Sequence, residues 1–431
     1  MQGTSIYKFL ITAVAAAALA ACGGGGGGDS TTVTPVDPTP PTTPTSKFTK
    51  TGVKWTFDLP ASGSLCYDFD AAAQTTDCSG TAWDVKVVSG GRTASLYTNS
   101  GPSGTGQGAA LGTPFTYTWT KLQSYNDATV DPDSKETVPS QAWIADSASG
   151  AFSGSNAIQS AAFEYDLNGT HQLSPNFRVF LVTTNSASAD MTGAAGKVFA
   201  LQVTGYYGGP TGTASGWPSL RWVDVANPGN VLTTPTGGIN ATDGWVYYDL
   251  ANNAKTTESG TWHIAFNRYS IKLNGGTSGS GTVAGFVSKT PAGFYEADGK
   301  TPIATKFNST SNLNDTLADL TGAQTGPTTA ARWVKDSVGS QLSPAYTGAY
   351  PNALNYGWYS YFPTDAAGAS AGVTQHMLKA NSEAATLVRS GTGNSYARMH
   401  VAEIKYAAAT PAYNGQQTWT IEFDVQPAAT K

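Results

Sequence analysis

The sequence predicts an all-β protein, and three observations lead there. Tyrosine and tryptophan are frequent, at 20 and 11 of 431 residues, beside 49 glycines. Aromatic residues suit a pleated, half-buried surface, and glycines suit the tight turns between strands. Short runs of alternating apolar and polar residues recur between turn signals, which is the strand period. Past the N-terminus no stretch keeps the apolar spacing of a long amphipathic helix. Charged residues make up only 12% of the chain, with a formal net charge of -5. That balance argues against a nucleic-acid partner, which needs a basic face.

Taken in order, the chain opens on a targeting segment. Lys8 supplies a positive charge, and residues 9–19 are apolar but too few to span a bilayer. Leu19-Ala20-Ala21-Cys22 looks like a bacterial lipobox, so residues 1–21 are expected to be a signal peptide and Cys22 the acylated N-terminus. An ordinary signal peptide with a chance cysteine is the alternative. Gly23 stands where an inner-membrane retention signal would place an aspartate, so the outer membrane is the expected location, with lipid as the anchor. Residues 23–28 are six glycines, and residues 29–46 are mostly Thr, Pro, Val and Ser. Such composition cannot build a core, and residues 22–47 read as a flexible, then semi-extended tether. The remaining cysteines are Cys66 and Cys78. Beyond the inner membrane the compartment is oxidising, which favours a disulfide between them worth about 3 kcal/mol in the chain-entropy model. Two buried free thiols are the alternative.

The folded part is organised around residues 261–281, TWHIAFNRYSIKLNGGTSGSG. An earlier stretch has the same grammar: Trp83 leading an alternating run, then Arg92, then LYTN at 96–99, then the glycine-rich residues 100–108. Two copies of one β-unit are therefore expected. In the first, strands are expected at 54–59, 65–69, 83–88, 93–98 and 113–122. An excursion follows over 123–156, with further strands at 161–165, 177–183, 198–203 and 220–225. Residues 227–238 (NPGNVLTTPTGG) read as a linker or boundary, giving domains 48–230 and 238–431. In the second copy, WVYYDL at 245–250 echoes WTFDL at 55–59, which aligns Asp249 with Asp58 as turn caps. Trp262 echoes Trp83, Arg268 echoes Arg92 and Asn274 echoes Asn99. Residues 358–361 echo 163–165, 373–378 loosely echo 179–182, 396–401 echo 198–203, and 419–425 echo the first copy's last strand.

These landmarks resemble the HmuY family of haem-binding bacterial lipoproteins. The features that carry the resemblance are the Trp-led opening strand ending in aromatic-Asp-Leu, the W-x-I-A-F-x-R-Y run at 262–269, the L-N-G-G step into glycines, and the late Y-A-R-M-x-V strand at 396–401. The resemblance implies two tandem, mostly antiparallel HmuY-like units. It also implies a haem or related tetrapyrrole gripped between β-fingers, and hand-off to a TonB-dependent outer-membrane receptor. A surface protein that keeps the fold but serves a structural or glycan-binding role is the alternative.

Haem iron takes His, Met, Tyr or Cys ligands. His171, in THQLSP at 170–175, resembles the family's T-H-x-x-x-P turn and is the first candidate ligand; an exposed loop histidine is the alternative. Its counterpart in the second copy falls at Ala367, and the family's second histidine has no evident match. His376 and Met377 are consecutive, as are Met399 and His400, so only one of each pair can face a site. If their strands are hairpin partners, His376 would lie near Met399 or His400; sheet packing and solvent are the alternatives. With Trp262 inward, His263 is expected to face out. Tyr346, Tyr350, Tyr356, Tyr359 and Tyr361 cluster with Trp358, a composition that stacks on porphyrins or sugars or fills a core. No G-x-S-x-G, H-E-x-x-H, P-loop or C-x-x-C occurs, and no enzymatic activity is expected.

Overall fold

The computed structural model describes residues 45–407 and 415–429. The expected signal peptide, the lipidation site Cys22 and the tether up to residue 44 lie outside the described residues. What is described is all-β, with helices of at most five residues between the strands. Among the described residues no helix is long and apolar enough to cross a membrane.

The first half of the chain runs β1 (Lys50–Asp58), β2 (Ser64–Asp68), β3 (Ala73–Thr75), β4 (Val85–Ser89), β5 (Ala94–Thr98), β6 (Ala109–Leu111), β7 (Tyr117–Thr118) and β8 (Trp143–Ile144). It continues β9 (Ser147–Ser149), β10 (Phe163–Tyr165), β11 (Leu173–Pro175), β12 (Val179–Thr183), β13 (Val198–Gly208) and β14 (Ala214–Asp224). The second half runs β15 (Asn227–Thr233), β16 (Val246–Asp249), β17 (Ala254–Thr256), β18 (Ile264–Asn267), β19 (Ser270–Leu273) and β20 (Ala284–Lys289). After short helices come β21 (Ser337–Gly339), β22 (Leu354–Asn355), β23 (Tyr359–Tyr361), β24 (Leu378–Ala380), β25 (Ala384–Arg389), β26 (Tyr396–Tyr406) and β27 (Gln417–Gln426).

Two large antiparallel sheets result. One has the order β1-β27-β26-β25-β6-β8, uniting strands from both ends of the chain. The other has the order β15-β14-β13-β12-β20. A four-stranded sheet packs on one face of each, β3-β2-β4-β5 on the first and β17-β16-β18-β19 on the second. Alternation along the strands builds the two cores. In the first, Trp55 and Phe57 of β1 meet Trp419, Ile421 and Phe423 of β27, with Phe69, Val85 and Leu96 from the small sheet. In the second, Phe180, Phe199, Leu220 and Trp222 meet Tyr248, Ile264 and Phe266. Each fully buried aliphatic or phenyl side chain contributes on the order of 1.5–3 kcal/mol. The opposite face of the first sheet is covered by Phe48, Leu122, Tyr125 and Trp143, and that of the second by Leu320 and Trp333.

The two Trp-to-Asn stretches fold alike. Asn99 donates to the carbonyls of Trp83 (2.7 Å) and Gly80 (3.1 Å) and accepts from the Gly106 N–H (2.9 Å). Asn274 donates to the Trp262 carbonyl (3.0 Å) and accepts from the Gly281 N–H (3.1 Å). A Cβ on Gly104 or Gly279 would collide with the asparagine side chain and crowd the tryptophan ring, which explains the glycines after each asparagine.

Elsewhere the register differs from the expected one. Tyr67 pairs with Val85, and Tyr248 pairs with Ile264 at the same step after each tryptophan. The partner of WVYYDL is therefore LCYDF at 65–69, and Asp249 matches Asp68, not Asp58. Both cap turns: Asp68 accepts from the Ala71 N–H and Asp249 from the Ala251 N–H. Asp58 instead accepts from the Thr418 hydroxyl at the sheet edge. Residues 113–122, expected as one strand, give only β7 before Thr118 caps a short helix at Trp119–Gln123 by accepting from the Lys121 N–H; a side-chain cap outweighs the alternation there. Residues 227–233 are not a linker but the edge strand β15, paired with β14. The disulfide forms between Cys66 and Cys78, Cα atoms 5.6 Å apart, tying β2 to the segment after β3.

Candidate functional site

The hairpin β10–β11 pairs Phe163 with Pro175 and Tyr165 with Leu173. The pair β23–β24 matches it, Tyr359 with Ala380 and Tyr361 with Leu378. In both, the first residue of the returning strand donates its N–H to a tyrosine hydroxyl near the end of a long strand: Leu173 to Tyr207 of β13 (3.0 Å) and Leu378 to Tyr406 of β26 (2.7 Å). Two residues before each leucine stands a histidine, His171 and His376.

These two histidines share an uncommon geometry. Their φ angles are 54° and 67°, in the left-handed region that non-glycine residues seldom occupy. The Tyr165 hydroxyl lies 3.1 Å from His171 Nδ1, and the Tyr361 hydroxyl 2.6 Å from His376 Nδ1. An aspartate anchors each turn: Asp166 accepts from the His171 N–H (2.7 Å), and Asp365 accepts from the Gln375 N–H (2.8 Å). His376, not Ala367, is thus the counterpart of His171. The sequence hid this because the second turn is longer and carries a short helix at Asp365–Gly368, capped by Thr364. The copies also differ in exposure. The His171 side chain is 77% exposed. His376 is half-buried, with its ring stacked on Tyr361 and Nε2 3.2 Å from the Gln375 side chain.

The other candidates lie apart from these turns. β24 pairs with β23, whereas β26 lies between β25 and β27, so the hairpin that would bring His376 to Met399 or His400 does not form. Met399 is fully buried in the first core. His400, its neighbour, points to the other face, not to solvent. There it stacks on Trp119 at 4.1 Å and its Nδ1 lies 2.6 Å from the Ser382 carbonyl. His263 is buried as well, because Trp262 packs with Tyr247 and Ala265 on the outer face of the small sheet, which turns His263 to the inner face against Phe199. Its Nδ1 accepts from the Leu250 N–H (3.2 Å) and lies 3.3 Å from Asp249. Burial pushes its pKa down, and Asp249 partly opposes that shift. At the corresponding position Asp84 accepts from the N–H groups of Phe69 and Gly391 (2.9 and 2.8 Å). Burial raises its carboxyl from 3.8 to about 8 against those two bonds.

The tyrosine cluster divides. Tyr359 is core and donates to the Ala94 carbonyl, Tyr361 serves His376, and Tyr350 stands alone in solvent. Tyr356 stacks on Tyr359 and Tyr346 lies tilted against Tyr356, beside a cavity of about 140 Å³. A larger cavity of about 580 Å³ is lined by Leu59, Ala61, Gly90, Arg92, Gln416 and Gln417. Gln417 is the strand partner of Tyr406, whose hydroxyl holds the segment just after His376.

What the fold and the turns define is an all-β protein presenting two equivalent, tyrosine-oriented imidazoles. That donor set fits a haem iron: histidine is a common axial ligand, and a hydrogen bond at one ring nitrogen is the usual way such a ligand is oriented. Compared with known proteins, residues 241–420 match the HmuY protein family. Over that stretch the chain is HmuY-like, and the family is associated with haem binding. No curated protein and no solved structure shows a significant match. The likeness of the first copy rests on the shared Trp–Asn and Tyr–His geometry described above.

Proposed function

We propose that this protein is a lipid-anchored envelope protein that binds haem or a related tetrapyrrole at its Tyr–His turns, without acting on it catalytically. It would then pass the ligand to a TonB-dependent outer-membrane receptor. The observation that supports this most is the recurrence of the turn. Twice the chain holds a histidine in a sparsely populated backbone region with Nδ1 on a tyrosine hydroxyl. Backbone strain of this kind costs on the order of 1–3 kcal/mol and is kept where a site needs it. With Nδ1 engaged, Nε2 would be the atom offered to iron; in His376 it would first leave Gln375. Met399 and His400 would reach a ligand only if the packing around them opened, so His171 and His376 take the ligand role. Absorbance titration of the purified protein with haemin tests this. A displaced Soret band that weakens in His171→Ala and His376→Ala supports it, and an unchanged haemin spectrum refutes it. A structural or glycan-binding role is the second reading, favoured by the adjoining rings of Tyr346 and Tyr356 at the surface; glycan binding without a haemin response would select it.

A further inference from the structure

We infer that the two repeats have exchanged halves, so that each HmuY-like body is a composite. The N-terminal half of repeat 1 (residues 45–146) is completed by the C-terminal half of repeat 2 (337–429). The C-terminal half of repeat 1 (150–226) is completed by the N-terminal half of repeat 2 (227–336).

The equivalences fix which strand corresponds to which. β2 to β5 match β16 to β19 through the Trp–Asn cages, and β23, β24 and β26 match β10, β11 and β13 through the Tyr–His turns. The strand ladders align the long hairpins. Ala110 and Gly285 stand at the same step after Asn99 and Asn274. Ala110 of β6 pairs with Val388 of β25, which pairs with Ala397 of β26. Gly285 of β20 pairs with Val182 of β12, which pairs with Phe199 of β13. Ala397 therefore matches Phe199, and Arg398 matches Ala200. Arg398 pairs with Asp424 of β27 and Ala200 with Val223 of β14, so β27 matches β14. Both hairpins also bury an arginine, two residues apart in this alignment. Arg398 bonds Asp424 (2.8 Å) and donates to the Leu122 and Tyr125 carbonyls, and Arg221 bonds Gln202 (2.8 Å) and donates to the Leu313 carbonyl.

The pairing crosses between repeats. β1 of repeat 1 pairs with β27 of repeat 2, and β6 of repeat 1 with β25 of repeat 2. Reciprocally, β15 of repeat 2 pairs with β14 of repeat 1, and β20 of repeat 2 with β12 of repeat 1. Repeats closed on themselves would pair β1 with β14 and β15 with β27.

The crossing point is visible. Asp146 accepts from the Thr98 N–H (3.1 Å) and Asp336 from the Leu273 N–H (2.9 Å), so each chain segment is still held by its own N-terminal half. Gly101 and Gly276 have positive φ, and a Cβ on either would strike the carbonyl of that aspartate. Immediately afterwards come β9 and β21, which pair antiparallel with each other, Ala148 opposite Val338. A segment paired antiparallel with its own counterpart is what a two-fold relation between exchanged units produces. Beyond it the segments part. Ala151 and Phe152 enter the second core, and Leu342 enters the first, where its carbonyl accepts from Trp358 Nε1 (2.6 Å). Exchange preserves the contacts of a closed unit and adds only the hinge ribbon, which makes it a low-cost arrangement. The family-matched residues 241–420 therefore span two bodies. His171 sits on a body whose small sheet comes from repeat 2, and His376 on one whose small sheet comes from repeat 1.

Paired cysteines in the full-length monomer test this. Thr56 and Thr420 are directly opposed on β1 and β27, at a separation that a disulfide spans. Ser219 is the position of β14 that corresponds to Thr420. On oxidation, Thr56→Cys with Thr420→Cys is expected to give an intramolecular bridge, seen as a mobility shift on a denaturing non-reducing gel and as a linked peptide by mass spectrometry. Thr56→Cys with Ser219→Cys is expected to give none. The inference is overturned if the second pair links and the first does not, if the first links only as a covalent dimer, or if neither links while both variants melt like the parent.

Discussion

Removing the Asn99 side chain tests how the repeats are built. Asn99 is fully buried and makes three hydrogen bonds, to the carbonyls of Trp83 and Gly80 and from the Gly106 N–H. Each net bond is worth about 1 kcal/mol, and the partly buried Gly106 N–H left without an acceptor costs up to ~2 kcal/mol more. Asn99→Ala should therefore destabilise the protein by roughly 3–5 kcal/mol, a fall in Tm of about 10 °C for a body of this size. Calorimetry gives the magnitude, and amide hydrogen exchange read by mass spectrometry gives the location. Because β4 and β5 pack on the sheet that contains β25 to β27, faster exchange is expected at residues 384–406 and 417–426. β12 to β14 should stay protected. Asn274→Ala should do the reverse, with a smaller loss because only two bonds go. A change in Tm under 2 °C, or loosening of β12 to β14 by Asn99→Ala, would refute the reasoning.

Other consequences are as specific. Asp84 holds a proton in the folded protein that the unfolded chain releases above its ordinary value of 3.8, since burial raises its carboxyl to about 8. Its contribution to stability is thus full below 3.8 and is lost as pH rises toward about 8. Urea midpoints of the parent minus those of Asp84→Asn should decline over that interval, and a rising difference would contradict the assignment. Arg398→Met should cost about 3–5 kcal/mol in denaturant unfolding by stranding buried Asp424, and adding Asp424→Leu should recover most of it. Tyr361→Phe removes the hydroxyl that orients His376 and should weaken haemin binding at that turn by roughly 10-fold or more without lowering Tm by more than a few degrees.

How much of this was legible in the sequence follows from the range of each interaction. Trp83 with Asn99 and Trp262 with Asn274 close local loops, and each asparagine takes its N–H from a glycine at the same distance along the chain, Gly106 and Gly281, so the motif exposes them. Cys66 and Cys78 were readable because the expected compartment and the count left one pairing. Strand partners were not readable: alternation in β1 states which face is apolar but not whether β14 or β27 lies beside it, and the two have the same pattern. His376 was missed as the mate of His171 because an inserted helix changes the spacing from the tyrosine. Asp58 was matched to Asp249 because FDL resembles YDL, whereas the register set by Trp83 and Trp262 aligns Asp68. His263 reads as exposed only if Trp262 faces the core. The two do face opposite ways, but Trp262 packs with Tyr247 and Ala265 on the other face of the small sheet, and His263 meets Phe199.

Isothermal titration of the full chain with haemin tests the central claim most directly, because the claim fixes a number. Two equivalent turns, one on each body, predict two haemin molecules per chain, falling to one in His171→Ala, one in His376→Ala and none in the double variant. Saturation at one haemin that neither substitution disturbs, or no binding at all, would contradict it.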